Sequence, residues 1–213
     1  MTDARPDRRL FAPATARNRD AVRDVLARFV RDGDHVLEIA SGTGEHATFL
    51  AQQLPVASWQ PTDPDPDARA SIDAWTAHLS ADRVRPALVL DVTRDPWPVA
   101  HADLVVCINM IHIAPWAACL ALLDGAANAL RADARRATGG LLYLYGPYRR
   151  GGTHTAPSNA AFDASLRARD PAWGLRDLET VIEAAAARGF TLEDVVGMPA
   201  NNLSVVLGHG RAV

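Results

Sequence analysis

The sequence contains no lysine, so all 22 of its basic residues are arginines, and 25 acidic residues outnumber them. With a formal net charge of −3, the chain lacks the general basic character that attracts nucleic acid or a membrane surface. It has only two cysteines, Cys107 and Cys119, whose separation fits neither a disulfide framework nor a zinc site. We therefore expect no metal centre, no nucleic-acid partner and no membrane partner.

Long apolar segments are also missing from the sequence. No apolar run is long enough to span a bilayer, and the N-terminus is rich in Asp and Arg with no apolar core, so no signal peptide is expected. These features predict a cytoplasmic protein. The 213 residues suffice for one domain with a substantial core, spanning 1–213. Residues 1–13, polar and interrupted by prolines, are expected to be loosely ordered.

What the chain does have is a glycine turn between a predicted strand and a predicted helix. The apolar segment 36–39 is followed by Ser41-Gly42-Thr43-Gly44, and apolar residues then recur at helical spacing. Such a turn lets backbone N–H groups approach a ligand closely. Glu38 lies near the end of the strand, where a buried carboxylate requires a donor partner. The turn is therefore a candidate ligand site.

Two ligands fit this turn. Gly42-x-Gly44-x-x-Ala47, with Asp63 about 20 residues further on, matches the fingerprint of a dinucleotide-binding loop. An acid followed by small residues that end in Gly-x-Gly is equally typical of an S-adenosylmethionine loop, with Ala40 where many such enzymes have glycine. The turn alone does not decide between these cofactors.

Strand and helix patterns alternate along the chain. An apolar helix is predicted over 15–31, with Thr15 as its cap, and the charged run at 131–136 is expected to be the solvated end of a helix. Strands are predicted at 36–39, 56–62, 86–90, 102–108, 140–145, 190–198 and 203–207, and further helices at 68–79, 116–130 and 177–188. This order predicts an α/β fold with a doubly wound, mostly parallel seven-stranded sheet, helices on both faces and a final antiparallel hairpin.

Polar side chains follow several of these strands. Glu38, Asp63, Asp91 and Asn109 all fall at or near strand ends, and Asn201 lies in the turn of the final hairpin. Ligands in open α/β sheets bind outside the carboxyl ends of the strands. The sequence thus predicts that these residues converge on one edge of the sheet.

With these features the chain resembles a class I, Rossmann-like S-adenosylmethionine-dependent methyltransferase. More narrowly, it is similar to a largely uncharacterised methyltransferase-like family found in bacteria and animals. The stretches that carry the resemblance span nearly the whole chain: Phe11 to Ala14 with Arg17 to Arg19, Leu37 to His46, Trp59 to Asp63, Cys107 to Ile113, Gly146 to Tyr148, Trp173 to Asp177 and Met198 to Leu203. The terminal hairpin also favours this class over nicotinamide dehydrogenases.

The resemblance implies a cofactor, S-adenosyl-L-methionine, and a site for it. The glycine turn would face its methionine portion, Asp63 would accept from the ribose hydroxyls and Asp91 from the adenine amino group, while Asn109 would lie beside the methyl group. Asp65, two residues further on, is an alternative candidate for accepting hydrogen bonds from the ribose hydroxyls. The implied cofactor site consists of Glu38, Ala40, Ser41, Gly42, Gly44, Asp63, Asp91 and Asn109.

Methyl transfer from a sulfonium is an in-line displacement that depends mainly on positioning, and a base is needed only when the nucleophile arrives protonated. His112 and Tyr148 are the candidate catalytic residues; the alternatives are that His112 caps a helix and that Tyr148 simply packs. Segment 147–172 has little periodicity and is expected to be a substrate lid. The candidate substrate-binding residues are Asn18, Arg149, His154 and Asn201.

The sequence therefore favours a small-molecule methyltransferase. A nicotinamide-dependent oxidoreductase remains an alternative because of Gly42-x-Gly44-x-x-Ala47, and a non-catalytic cofactor-binding or scaffold protein is another because no base is unambiguous. The acceptor and the oligomeric state are not indicated.

Overall fold

The computed structural model describes residues 7–130 and 139–210, so the charged run at 131–136 lies outside the described residues. Helices and strands alternate through the first two thirds of the chain. In order they are α1 (Pro13–Leu26), β1 (His35–Ile39), α2 (Glu45–Gln53), β2 (Ser58–Pro61), α3 (Pro66–Leu79), β3 (Leu104–Ile108), α4 (Trp116–Ala129), β4 (Gly140–Gly146), β5 (Arg149–Arg150), β6 (Thr153–His154), α5 (Pro157–Arg169), α6 (Leu178–Ala186), β7 (Phe190–Met198) and β8 (Asn202–His209).

The main sheet has the strand order β2-β1-β3-β4-β8-β7. The first four of these strands are parallel, and β8 pairs antiparallel with both β4 and β7. β3 and β4 are almost entirely buried and apolar, as expected for parallel strands covered on both faces. The mostly parallel sheet with a terminal antiparallel hairpin is confirmed.

The sheet has six strands, so the prediction of seven was wrong. The predicted strand at 86–90 forms a single isolated bridge, between Leu88 and Thr62 just after β2, and a second isolated bridge joins the preceding Val84 to Trp59. The ladder is interrupted at Pro61, which has no N–H to donate, whereas Trp59 and Asp63 on either side of it donate to Arg83 and Leu88. The side-chain amide of Gln60 donates to the Pro86 carbonyl at 2.8 Å at this interruption.

Helices cover both faces of the sheet. Val22 and Leu26 of α1 and Leu50 of α2 belong to one buried cluster, whereas Leu122 of α4 and Val181 of α6 belong to the cluster on the other face. This arrangement confirms the doubly wound architecture. In the described part of the chain, no helix combines the length and apolar character needed to cross a bilayer.

Helix α1 differs from its predicted bounds of 15–31. It begins at Pro13, with Ala12 as the N-cap residue, so Thr15 is inside the helix and is buried rather than capping it. Proline suits the first helical position because it lacks an N–H that would go unpaired there. The helix ends at Leu26 and turns lead on towards Gly33, which has a φ of +82°.

Segment 147–172 contains regular structure, namely the short β5–β6 hairpin and helix α5. Helix α5 lies against the turn between β7 and β8, where the Asn159 amide donates to the Asn201 carbonyl at 3.0 Å. Because β8 runs antiparallel to β4, with Gly146 paired to Leu203, this turn lies at the carboxyl edge of the parallel strands. The segment therefore lies above the edge where a ligand is expected.

Candidate functional site

The glycine turn after β1 adopts conformations that favour glycine. Gly42 and Gly44 have φ values of +57° and +88°. A Cβ on Gly44 would lie 2.6 Å from the Cα of Ile72, whereas a Cβ on Gly42 would meet nothing within 4 Å. Ala40, where many methyltransferases have glycine, also has a positive φ, of +54°, which costs an alanine about 1 kcal/mol. The backbone of the turn thus leaves open space beside Gly42.

Asp63 links this turn to the end of β2. Its carboxylate accepts the N–H of Gly42 at 3.0 Å and the N–H of Asp65 at 2.9 Å, one at each oxygen. Burial raises the pKa of Asp63, against the lowering effect of these two backbone donors. Each carboxylate oxygen can accept more than one hydrogen bond, so capacity remains for hydroxyl groups of a ligand.

Glu38 lies beneath the turn and is 2% exposed. Its carboxylate accepts the indole N–H of Trp59 at 3.0 Å, and burial raises its pKa to about 7. The main-chain carbonyl of Glu38 accepts the Thr62 hydroxyl at 2.7 Å, and Ser41 accepts the Thr62 N–H at 3.2 Å. Glu38 thus connects β1 to β2 directly below the glycine turn, and the Trp59 N–H is the donor partner that its buried carboxylate was predicted to require.

The segment before α1 is held against the glycine turn. The Ala12 N–H donates to Glu45 at 2.7 Å, and the Leu10 N–H donates to the Ser71 hydroxyl at 2.7 Å. Ser71 in turn donates to the carbonyl of Thr43, inside the turn, at 2.7 Å. Residues 10–12 are therefore ordered by specific hydrogen bonds, contrary to the expectation that 1–13 is loose, and residues 1–6 lie outside the described part.

Asp91 lies on the far side of Asp63 from the other site residues. It lines a cavity of about 310 Å³ together with Pro64 and Leu90. Its carboxylate accepts the hydroxyl and the N–H of Thr93, at 2.7 and 3.0 Å, and these bonds lower its pKa. Because Pro64 directly follows Asp63, the two acids border neighbouring positions at the carboxyl edge. The adenine role of Asp91 stays a prediction.

A second cavity, of about 460 Å³, lies at the same edge beyond β3. It is bordered by the first turns of α1 and α5, by the ends of β3 and β4 and by the turn between β7 and β8. Its polar lining comes largely from neutral side chains: Asn18, Asn109, Tyr145, Ser158, Asn159 and Asn202. Ile113 and Phe162, each 41% exposed, provide an apolar border. The cavity has the size and mixed lining of a small-molecule site.

Asn18 and Asn109 are brought together at this cavity. Asn109 has a φ of +66°, and its N–H donates to the carbonyl of Tyr145 at 2.7 Å. Asn18 is buried and lies 2.8 Å from the ring nitrogen of His46. Burial lowers the pKa of His46 to about 4, so this ring is neutral and donates to Asn18. Among the predicted substrate-binding residues, Asn18 lines the cavity directly.

His112 and Tyr148 lie inside the protein instead. Both are fully buried and their rings meet edge to face, with centroids 4.8 Å apart. Burial lowers the pKa of His112 to about 3 and raises that of Tyr148 well above its ordinary value. Gly146 permits this burial, because a Cβ there would lie 2.5 Å from the His112 ring. In this structure His112 is a neutral interior side chain, and a proton-transfer role for it or Tyr148 stays a prediction.

Arg149 and His154 belong to the β5–β6 hairpin, and neither is among the residues that line the cavity. His154 lies 3.5 Å from the carboxylate of Asp163, which also binds Arg167 and the N–H of Leu175. Burial would raise the pKa of Asp163, but these partners outweigh it and the pKa is lowered. Asn201 exposes its side chain on the adjoining turn. The substrate roles of these three residues are untested.

Two residues of the cavity, Tyr145 and Asn159, were not predicted from the sequence. Tyr145 is one of several apolar residues in a fully buried strand, and its inclusion in the cavity depends on the position of α1. Asn159 looks like an ordinary polar helix residue, yet it is buried and donates to both Thr155 and Asn201. Neither role follows from local periodicity. Within the described ranges, no group of His, Cys, Asp and Glu side chains is arranged to hold a metal ion.

The fold is that of methyltransferases of known structure. An O-methyltransferase family 2 protein from Planctomyces limnophilus, solved with apigenin, aligns with a TM-score of 0.76 at 19% identity over 92% of this chain and 59% of its own. An O-methyltransferase from neocarzinostatin biosynthesis, solved with S-adenosylmethionine and 2-hydroxy-5-methyl naphthoic acid, aligns with a TM-score of 0.71 at 16% identity, over 92% of this chain and 54% of its own. The chain thus spans little more than half of these two enzymes.

A third similar structure matches along nearly its whole length. It is the complex between the Trm112 methyltransferase activator of Haloferax volcanii and a protein described as a methyltransferase, with a TM-score of 0.71, 16% identity and 91% of both chains covered. At these identities the likeness defines the class of fold. By sequence, the chain belongs to the family described as Protein of unknown function (DUF938), whose model matches residues 9–209.

Proposed function

We propose that this protein transfers a methyl group from S-adenosylmethionine to a small-molecule acceptor. The proposal rests on the hydrogen bond from the Gly42 N–H to the Asp63 carboxylate, which joins the glycine turn to the end of β2. This bond lies at the edge of the sheet that also borders the 460 Å³ cavity. Open backbone beside Gly42 and spare acceptor capacity on Asp63 fit a nucleoside with a vicinal diol. The similar folds of methyltransferases support the same class.

The residues at this edge of the sheet contact different parts of the two ligands. Asp63 accepts ribose hydroxyls, Asp91 borders the adenine side, and Asn109 lies on the side of the acceptor cavity. S-adenosylmethionine supplies an electrophilic methyl group on a sulfonium. The protein's contribution is to align the acceptor with that methyl group and to keep water out, which is the main demand of an in-line displacement.

The nicotinamide alternative is less well supported. It rests on Gly42-x-Gly44-x-x-Ala47, a short pattern that both cofactor classes share. The antiparallel β7–β8 hairpin is typical of methyltransferases, and its turn borders the acceptor cavity. Turnover on any acceptor would rule out a binding protein without catalytic activity.

The ribose contact is tested by comparing Asp63→Ala with Asp65→Ala. We expect Asp63→Ala to weaken S-adenosylhomocysteine binding roughly tenfold to a hundredfold, because hydrogen bonds to a charged acceptor contribute about 1.5–3 kcal/mol. Asp65 caps α3 by accepting the Asp67 N–H at 2.9 Å, so its loss should reduce stability by about 1 kcal/mol while leaving affinity nearly unchanged. Calorimetric titration measures both variants. The reverse ranking of affinities would assign the ribose contact to Asp65.

A further inference from the structure

The side chains that line the 460 Å³ cavity indicate which chemical class of acceptor is methylated, an inference that rests on the proposed function. None of the residues that line it in the described part of the chain is Asp, Glu, His or Cys. Its titratable lining residues are Arg17 and Tyr145. A protonated amine would find no carboxylate partner here. An anion, by contrast, would meet a cation and several neutral donors.

Two helices also direct their positive ends at this cavity. Ala14 in the first turn of α1 and Ser158 in the first turn of α5 both line it. The N-cap residues of both helices are alanines that provide no side-chain cap, and neither first turn contains an acidic residue. Each helix N-terminus carries roughly half a positive charge. At α1 the Glu45 carboxylate, which accepts the Ala12 N–H at 2.7 Å, offsets part of this charge, whereas the first turn of α5 contains no acidic residue.

A buried donor faces the same space. Tyr145 is 2% exposed and lines the cavity, and its hydroxyl makes no hydrogen bond of regular geometry within the described residues, although the amides of Asn18 and Asn202 lie close to it. Burial raises the pKa of Tyr145, although Asn18 and Asn202 nearby act in the opposite direction, so the hydroxyl stays protonated. A buried hydroxyl without a regular hydrogen bond is costly, and an acceptor atom of a ligand would satisfy it.

The same lining lacks a group that could remove a proton. The Arg17 guanidinium has only N–H donors and no acceptor, and the Tyr145 hydroxyl is a donor at neutral pH. His112 and Tyr148 are fully buried, and His46 is neutral and engaged with Asn18. An alcohol, a phenol or an ammonium must lose a proton to become a methyl acceptor, whereas a carboxylic acid with a pKa near 4 is already ionised.

We propose that the acceptor is a small carboxylic acid, bound as its carboxylate between the N-termini of α1 and α5 with Arg17 and Tyr145 as donors, and methylated on the carboxylate oxygen. A lone pair of that oxygen forms the O–CH₃ bond while the CH₃–S bond of S-adenosylmethionine breaks. Sulfur keeps the electron pair, and no proton moves. The products are a methyl ester and S-adenosylhomocysteine. Ile113 and Phe162 border the apolar part of the acid.

Binding is tested by titrating the protein, saturated with S-adenosylhomocysteine, with benzoate, benzyl alcohol and benzylamine. These probes share a ring and differ in charge. We expect benzoate to bind more tightly than either of the other two. Arg17→Ala and the conservative Tyr145→Phe should each weaken benzoate roughly tenfold, as loss of a charge-assisted hydrogen bond implies. Arg31→Ala, which removes an exposed arginine outside the cavity, should leave benzoate binding unchanged.

The acceptor atom is tested with methyl-labelled S-adenosylmethionine and a panel of aromatic and aliphatic acids, with their amides as controls. A methyl ester releases its label as methanol in alkali, so alkali-labile label from acids and not from amides is the expected result. The proposal would be overturned if benzoate bound no more tightly than benzylamine, or if the methylated product were stable in alkali. It would also be overturned if Arg17→Ala weakened the binding of S-adenosylhomocysteine rather than that of benzoate. Failure of the wild type to bind S-adenosylhomocysteine would instead refute the proposed function.

Discussion

Gly44→Ala is expected to destabilise the protein by about 3 kcal/mol. The new Cβ would lie 2.6 Å from the Cα of Ile72, a backbone atom that no change of side-chain rotamer can move away. The φ of +88° is also unfavourable for alanine. Left-handed backbone costs a non-glycine residue about 1–2 kcal/mol, and forcing atoms into packed space costs about 1–3 kcal/mol more. Chemical denaturation of the protein without ligand measures this loss in the free energy of unfolding.

Gly42→Ala provides the matched comparison. Its Cβ would meet nothing within 4 Å, so only the positive φ opposes it, at a cost of about 1 kcal/mol. That Cβ would project into the open space assigned to the cofactor. We therefore expect Gly42→Ala to be mildly destabilised and to bind S-adenosylhomocysteine poorly. Equal destabilisation of the two variants would contradict the packing of α3 against the turn.

Glu38→Gln is expected to stabilise the protein without ligand at pH 8 by up to about 3 kcal/mol, and to have little effect near pH 4.5. Burial raises the pKa of Glu38 from 4.5 to about 7, so the folded state holds a proton that the unfolded state releases between these values. The stability contributed by this group is therefore full below pH 4.5 and is lost as the pH rises through about 7. Glutamine is neutral throughout and can still accept the Trp59 N–H.

The comparison is made by denaturing both proteins at a series of pH values and plotting the difference in their free energies of unfolding. Glu183→Gln removes the same charge from an exposed position on α6 and should give a small difference at every pH. A Glu38→Gln variant that is less stable than the wild type at pH 8 would mean that the ionised carboxylate is stabilised in the folded protein. The assignment of Glu38 as a buried, protonated acid near neutral pH would then be wrong.

The sheet could be predicted because its signals are local. Continuous apolar runs such as 104–108 and 140–146, alternating with helical patterns, sufficed for the parallel strands and the final hairpin. The segment at 86–90 is also rich in apolar residues, but it lies beside Pro61 of β2, which cannot donate to a ladder, and it pairs only at a single point. The segment is also only partly buried, since Leu90 is 3% exposed but Val89 is 60% exposed. Apolar composition alone therefore predicts neither its burial nor its pairing.

The site was predictable where a residue follows a strand and unpredictable where burial depends on distant packing. Asp63 and Gly42 follow β2 and β1, and their hydrogen bond reflects the parallel pairing of those strands. His112 also follows a strand, yet it turns inward because Gly146, on the neighbouring strand, has no side chain to exclude its ring. Tyr145 faces the cavity because α1 and α5 border it, a relation between elements far apart in sequence.

Binding of S-adenosylmethionine by the glycine turn and Asp63 is tested by calorimetric titration of the wild-type protein with S-adenosylmethionine, S-adenosylhomocysteine and NADH. We predict micromolar binding of both adenosyl ligands at one site per chain, with no measurable heat from NADH. Binding of NADH without either adenosyl ligand, or binding of none of the three, would contradict the methyltransferase assignment.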